Sequence, residues 1–486
     1  MLTGLIKKEL IQETGTLNQK IFNSIKKNIF EKKIPGNSKL PSSRELAINL
    51  GVSRNTILLV YEQLYIEGYV YIKKNSGTFV KNSVDFSLLE DTAVIDIPPS
   101  NRGYAILKNN YISTTMKQRL LTPFVPDVSI FPHAKFNKIV AQVRSSTNYS
   151  DFTYSSDAGV EQLKEAITKY LKNSRHIECK TSQILIFRSS TDALNLISKV
   201  LCDTGDTVWL ENPTYWGFRN IFHTEGLNIC DIDVDKEGLN FESFINIEDV
   251  KPSLILVTPS RQYPLGHVMS LERRIKLVHH AIEQGSWIIE DDYDSDFRLS
   301  RYQVSSLYSL EKNAPVIYLG SFSKTIYPSI NISYLVVPES IASILKNAHS
   351  VLYRNSDRIM QRALAIFMEK GDYSGHLNYI RSLYLKRRQV LIQLLVKYLG
   401  QKIVNIESNF NTGLHVILQL PEDVNDLVIV HELQSFDINV SALSQYYSGM
   451  IKQRGLLIGF ASISEERMEA PIKILTSIVK QHLKNR

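Results

Sequence analysis

Apolar residues recur at helical intervals along the first eighty positions. Leu17, Ile21, Ile25 and Ile29 fall four apart and predict a helix ending near Lys33. Pro35-Gly36 and Pro41 break that pattern. "SSRELAINLG" predicts a second helix, with Ser42 and Glu45 spaced as a capping box and Gly51 as its stop. "VSRNTILLVYEQLYIEG" predicts a third, capped by Ser53, with Ile57, Val60, Tyr61 and Leu64 as its inward stripe. "YVYIKK" and "GTFVKN" then alternate as two strands around Asn75-Ser76-Gly77, a basic wing. Two short helices joined by a tight glycine-containing turn make a helix-turn-helix. The polar start of its second helix, Arg54, Asn55 and Thr56, is the part that reaches base edges and phosphates.

Periodicity weakens over residues 82–122, which include Pro98-Pro99, and a linker is expected there. From about Pro123, apolar runs alternate with helical stretches. "SQILIF" precedes "STDALNLISKVL", and "TVWLEN", "NICDID", "SLILVT", "WIIEDD" and "VIYLGS" follow at intervals. Such a pattern predicts an α/β domain with a largely parallel sheet, which places ligand chemistry beyond the carboxyl ends of its strands.

Charge sharpens this division. Residues 1–81 hold 13 Lys+Arg against 6 Asp+Glu, whereas the other 405 residues hold 43 of each, so the whole excess of +7 lies in the first sixth of the chain. A polyanion-binding module ahead of a neutral domain is the natural reading, and a solvated basic face without a partner is the alternative. Hydrophobic residues make up 43% of the 486, enough for a sizeable core. No apolar run approaches bilayer-spanning length, and "MLTGLIKKELIQETG" lacks the apolar centre of a signal peptide. Cys179, Cys202 and Cys230 are odd in number and far apart, which fits buried thiols in a reducing compartment. A cytoplasmic location is expected.

Three predicted strand ends carry unusual residues. "WIIEDDYDSDF" gathers Glu290, Asp291, Asp292 and Asp294 with Tyr293; "VIYLGSFSKTIYP" ends in Ser321, Ser323, Lys324 and Thr325; "ILIFRSSTDAL" sets Ser189, Ser190 and Thr191 at a helix start. Singly, each has a plain structural reading as a solvated cap, a surface lysine or an N-cap. Together they suit one ligand with an aldehyde, a phosphate and a pyridine ring. Pyridoxal phosphate requires a lysine for the imine, an acid at the ring nitrogen and donors for the phosphate, which a helix N-terminus favours.

The first stretch, "LPSSRELAINLGVSRNTILLVYEQLYIEGYVYIKKNSGTFV", closely resembles the winged helix-turn-helix of GntR-type bacterial regulators. By that resemblance Arg44, Ser53, Arg54, Asn55 and Thr56 contact operator DNA, and Lys73, Lys74 and Ser76 belong to the wing. "AGVEQLKEAI", "GDTVWLENPTYWGFR", "VTPSRQYPLGHVMSLERR", "WIIEDDYDSDF" and "YLGSFSKTIYPSINISYLVVPE" resemble, in order and spacing, fold-type-I aminotransferase-like domains. The combination resembles the MocR/GabR family of transcriptional regulators. It implies a winged helix at 14–81, a linker at 82–122 and an effector-binding and dimerisation domain at 123–486. It also implies a homodimer. Lys324 matches the lysine that condenses with the cofactor, Asp291 the partner of the ring nitrogen, Tyr293 the phenol at the ring hydroxyl and Tyr215 the stacking aromatic. Ser190, Thr191, Ser321 and Ser323 lie where the family contacts phosphate.

Several positions depart from the family pattern. Asn331 stands where an arginine usually reaches the phosphate, a loss of about 1.5–3 kcal/mol. "SRQYPLG" puts Arg261 and Leu265 in place of a histidine and a threonine, and "RSSTD" introduces Arg188, so either arginine is a candidate for the missing charge. The substrate-carboxylate arginine falls at Leu457, with Arg454 nearby. Gly217 replaces an arginine of the GABA-responsive member, with Arg219 further along. Turnover needs a substrate held in a reactive pose, and that clamp is not evident. The expectation is a regulator that binds pyridoxal phosphate and senses it or a cofactor-linked amine or amino acid. The alternatives are an active aminotransferase with a DNA-binding appendage and a regulator whose site no longer holds the cofactor.

Overall fold

A computed structural model describes residues 2–10, 15–82, 98–108, 120–146, 157–245, 250–297, 305–311, 313–353, 357–401, 404 and 413–484. The chain divides into two compact units, Met1–Pro98 and Pro99–Arg486.

The first unit contains α1 (Leu2–Leu10), α2 (Leu17–Phe30), α3 (Ser43–Leu50), α4 (Arg54–Ile66), β1 (Val70–Lys73) and β2 (Gly77–Val80). Ser42 and Ser53 accept from the backbone N–H of Glu45 and Thr56 and cap α3 and α4. Gly51 ends α3 in the left-handed conformation, which glycine adopts without a Cβ clash. The reciprocal half of a capping box is found at Thr16 and Gln19, ahead of α2. Ile57, Val60, Tyr61 and Leu64 are buried against Ile21, Ile25 and Leu46. Helix α2 stops at Phe30, short of Lys33. Helix α1 had no counterpart in the sequence pattern; at nine residues it is too short to persist alone, and its buried Ile6 joins the same core.

The second unit opens with α5 (Asn101–Lys108), α6 (His133–Ser145) and α7 (Glu161–Arg175). It continues with β3 (Ile184–Phe187), α8 (Ser190–Leu201), β4 (Thr207–Asn212), α9 (Trp216–Thr224), β5 (Asn228–Asp235), β6 (Gly238–Leu239), β7 (Leu254–Val257), β8 (Trp287–Asp292), β9 (Val316–Ser321) and β10 (Ser333–Val336). The sheet order is β3-β10-β9-β8-β7-β4-β5-β6. Neighbours from β9 through β5 are parallel, while β10 runs antiparallel to both β3 and β9. Strands β3, β9, β8, β7, β4 and β5 therefore share one carboxyl edge, and the start of β10 falls at that same edge. Alternate residues feed different cores. Ile184 and Ile186 pack on one side of β3, Leu185 and Phe187 on the other, which is why these strands read as unbroken apolar runs. A smaller antiparallel sheet of β11 (His415–Leu420), β12 (Ser441–Ala442) and β13 (Arg454–Gly459) completes the unit.

Part of the expected linker is built into this unit. Helix α5 packs against α9, and Leu120 pairs with Ile438. Residues 120–122 are held through their backbone rather than through an apolar stripe, so periodicity gave no sign of them. Residues 83–97 and 109–119 lie outside the described residues.

Candidate functional site

Lys324 lies just past β9 at the shared edge, and its Nζ donates to the Phe124 carbonyl at 2.8 Å. Burial draws its pKa down to about 8, against the opposing pull of Asp294 and Asp291. Beside it, side-chain alternation along β8 sorts the carboxylates. Asp292 accepts from Arg175 Nε at 2.7 Å and Tyr318 Oη at 2.6 Å, and Glu290 from Ser306 Oγ at 2.5 Å. Asp294 accepts from Arg261 Nη1 at 2.5 Å. These three are held by protein donors. Among the described residues, Asp291 alone of the four has no hydrogen-bond donor. Burial, with Asp292, Asp294 and Glu211 adding to it, raises its pKa to about 8.

The Tyr293 hydroxyl is buried beside the Arg261 guanidinium without a well-formed hydrogen bond. Arg261 is itself clasped by backbone, since a Cβ on Gly413 would fall 1.7 Å from its Nη1. Its charge is matched by Asp294. Arg188 is exposed, next in sequence to Ser189 and Ser190. Tyr215 caps α9, and its ring folds back over Gly217, where any Cβ would lie 2.2 Å from it. The glycine thus positions the tyrosine, and no side chain fits at 217 with the ring so placed.

The hydroxyls form a chain. Ser333 Oγ lies 3.5 Å from Ser190 Oγ and 3.2 Å from Ser321 Oγ, which lies 3.1 Å from Ser323 Oγ. Ser333 is absent from the sequence-derived set. It joins because antiparallel pairing sets it opposite both Ser321 and Phe187, a register that spacing along the chain does not reveal. The chain ends on Ser190, the first residue of α8, and the N-terminus of a helix favours an anion. Thr191 is exposed on the first turn of α8 and Asn331 is exposed with φ 53°. Thr325 bonds instead to Tyr373 Oη at 3.0 Å.

No carboxylate clamp emerges from the remaining candidates. Arg454 pairs with Asp426 at 3.3 Å, Arg219 pairs with Asp231, and Leu457 packs among Tyr263, Leu265, Ile417, Leu443 and Tyr446. The residues present fit pyridoxal phosphate: a buried amine of lowered pKa, a carboxyl without a donor, a phenol without a formed hydrogen bond, and a ring of hydroxyls at a helix start.

In the first unit, Arg44, Ser53, Arg54 and Asn55 are exposed, and Thr56 is half-buried with its Oγ1 2.8 Å from Ser53 Oγ. Arg54 Nε lies 3.4 Å from Ser43 Oγ and so bridges α4 to α3. Lys73 and Lys74 are exposed on the wing, and the Ser76 N–H donates to the Lys73 carbonyl at 2.9 Å.

Comparison with known proteins agrees with both halves. Residues 17–80 match the gntR family of bacterial regulatory proteins, and residues 129–475 match aminotransferase class I and II. The chain is 30% identical to the probable rhizopine catabolism regulatory protein MocR of Rhizobium meliloti, over 95% of this chain and 93% of that protein. It is 29% identical to the pyridoxine biosynthesis transcriptional regulator PdxR of Corynebacterium glutamicum, over 88% of each. An archaeal alanine:glyoxylate aminotransferase shares the fold of the large unit, with a TM-score of 0.69 at 23% identity, covering 82% of this chain and 100% of that one. Among the described residues no helix is long and apolar enough to cross a membrane. With a DNA-reading winged helix ahead of an aminotransferase-like domain, and relatives matched along nearly its whole length, the chain belongs to the MocR family of transcriptional regulators.

Proposed function

We propose that this regulator binds pyridoxal phosphate through Lys324 as a signal rather than as a catalyst, and that cofactor occupancy changes operator binding by a homodimer. The observation that carries this reading is that Asp291, Lys324 and the serine chain meet at one sheet edge while Arg454 and Leu457 leave a substrate carboxylate without a clamp. When bound, the cofactor supplies an electrophilic aldehyde carbon. Lys324 offers the amine, which burial keeps in its free form more readily than in water. Asp291 sets its carboxyl toward a ring nitrogen, and Tyr293 presents a hydroxyl to the ring oxygen. Tyr215 covers the site, and the serines with the α8 N-terminus receive the phosphate. The similarity to PdxR, named as a regulator of pyridoxine biosynthesis, supports the cofactor itself as the effector.

The test is visible absorbance of the protein titrated with pyridoxal phosphate, alongside Lys324→Ala, followed by operator binding with each form. A band in the wild type alone, with operator affinity that differs between loaded and empty protein, is expected. A band without any change in operator affinity would rule out sensing. Incubation with amino acids is expected to yield no keto acid.

A further inference from the structure

The chain reaches the candidate site by an unusual route. Residues 120–124 run beside the small sheet, tied by Asn439 N–H to the Leu120 carbonyl and Gly459 N–H to the Leu121 carbonyl, both at 2.9 Å. Gly459 has no room for a side chain, since its Cβ would fall 2.0 Å from the Thr122 carbonyl oxygen. Leu121 and Phe124 sit at φ 62° and 64°, a left-handed conformation that residues other than glycine avoid unless contacts hold them there. The Phe124 ring packs at a tilt against Tyr263 and His415, with centroids at 4.5 Å and 4.2 Å. Its carbonyl accepts from the Lys324 amine. Earlier in the same stretch, α5 lies against α9, the helix that Tyr215 caps. The segment between the winged helix and the large sheet therefore touches two elements of the site.

We propose that the Phe124 carbonyl is the resting partner of the Lys324 amine, and that condensation of that amine with the cofactor aldehyde releases residues 120–126 from their empty-site conformation. This rests on the reading of Lys324 as the cofactor-bearing lysine. In the step, nitrogen bonds to the aldehyde carbon and the carbonyl oxygen leaves as water with the two hydrogens of the free amine. The nitrogen, now doubly bonded to carbon, keeps no N–H for Phe124 unless it takes up a proton, and that N–H is then fixed in the plane of the double bond. Phe124 loses its donor, or keeps only one whose direction the double bond fixes, and a left-handed residue loses or weakens one of the contacts that hold it. Lys324 is then both the attachment point and the reporter of attachment, and Phe124 is its positioning residue.

Hydrogen–deuterium exchange of the full-length protein, followed on a peptide covering residues 120–126, tests this with four samples. Lys324→Met keeps the chain length of the lysine without its donor. It is expected to exchange faster there than the empty wild type by about five- to thirtyfold, the effect of one hydrogen bond on a local opening equilibrium. Wild type loaded with pyridoxal phosphate, verified by its visible band, is expected to match Lys324→Met, and adding cofactor to the variant is expected to change nothing. Equal exchange in the empty wild type and the variant would overturn the proposal whatever the cofactor does. Loaded wild type with unchanged exchange would overturn the coupling while leaving cofactor binding intact. Absence of the band would instead refute the function proposed above, with the comparison of empty proteins still deciding the Phe124 contact.

Discussion

Lys324 and Asp291 are both displaced toward pH 8, from opposite directions and for the same reason, burial. Below pH 8 the lysine is mostly an ammonium that cannot attack, while the protonated acid can give its proton to a ring nitrogen, so the lysine sets the pH dependence. The rate of cofactor association is therefore expected to rise about tenfold per pH unit up to about 8 and then level off. Stopped-flow absorbance checks this; a rate still climbing at pH 10 would show an ordinary lysine. Asn331 makes a different point. Its left-handed backbone is one that asparagine tolerates and arginine adopts at about 1–2 kcal/mol. Asn331→Arg would regain a charge-assisted contact of about 1.5–3 kcal/mol, so cofactor affinity is expected to rise about ten- to a hundredfold while the strain lowers folding stability. Titration of the two proteins side by side measures it.

At the scale of elements, helix α4 and its caps were legible because each signal is local. Ser53, the stripe from Ile57 to Leu64 and the hairpin after it need only a few neighbours along the chain. Arg54→Ala removes a charge from the exposed start of that helix. It is expected to weaken operator binding and to reduce the salt slope by about one, with the oligomeric state unchanged. Binding isotherms at several salt concentrations, with sedimentation, would show it. The carboxyl-edge residues were likewise legible, because strand ends follow from apolar runs. Ser333, the Arg261–Asp294 pair and the entry of Phe124 were not. Each depends on partners distant in sequence: an antiparallel register, an ion pair across 33 positions and a carbonyl 200 positions from its donor.

For the whole molecule, two compact units with separate cores imply separable stabilities. Calorimetry is expected to resolve two transitions, with pyridoxal phosphate raising only that of the large unit. At a hundred times its dissociation constant the ligand adds about 2.7 kcal/mol. A single transition moved as a block would indicate that the units unfold together. The serine chain has a consequence in time rather than in strength. On the function proposed above, four neutral hydroxyls would hold a doubly charged phosphate by dipoles, without the standing attraction of a guanidinium, and what such a cup would concede is residence. An enzyme gains by keeping its cofactor for life, but a gauge must empty when the supply falls. If the proposed reading holds, a weak hold on the phosphate would let this protein release its cofactor as the supply falls.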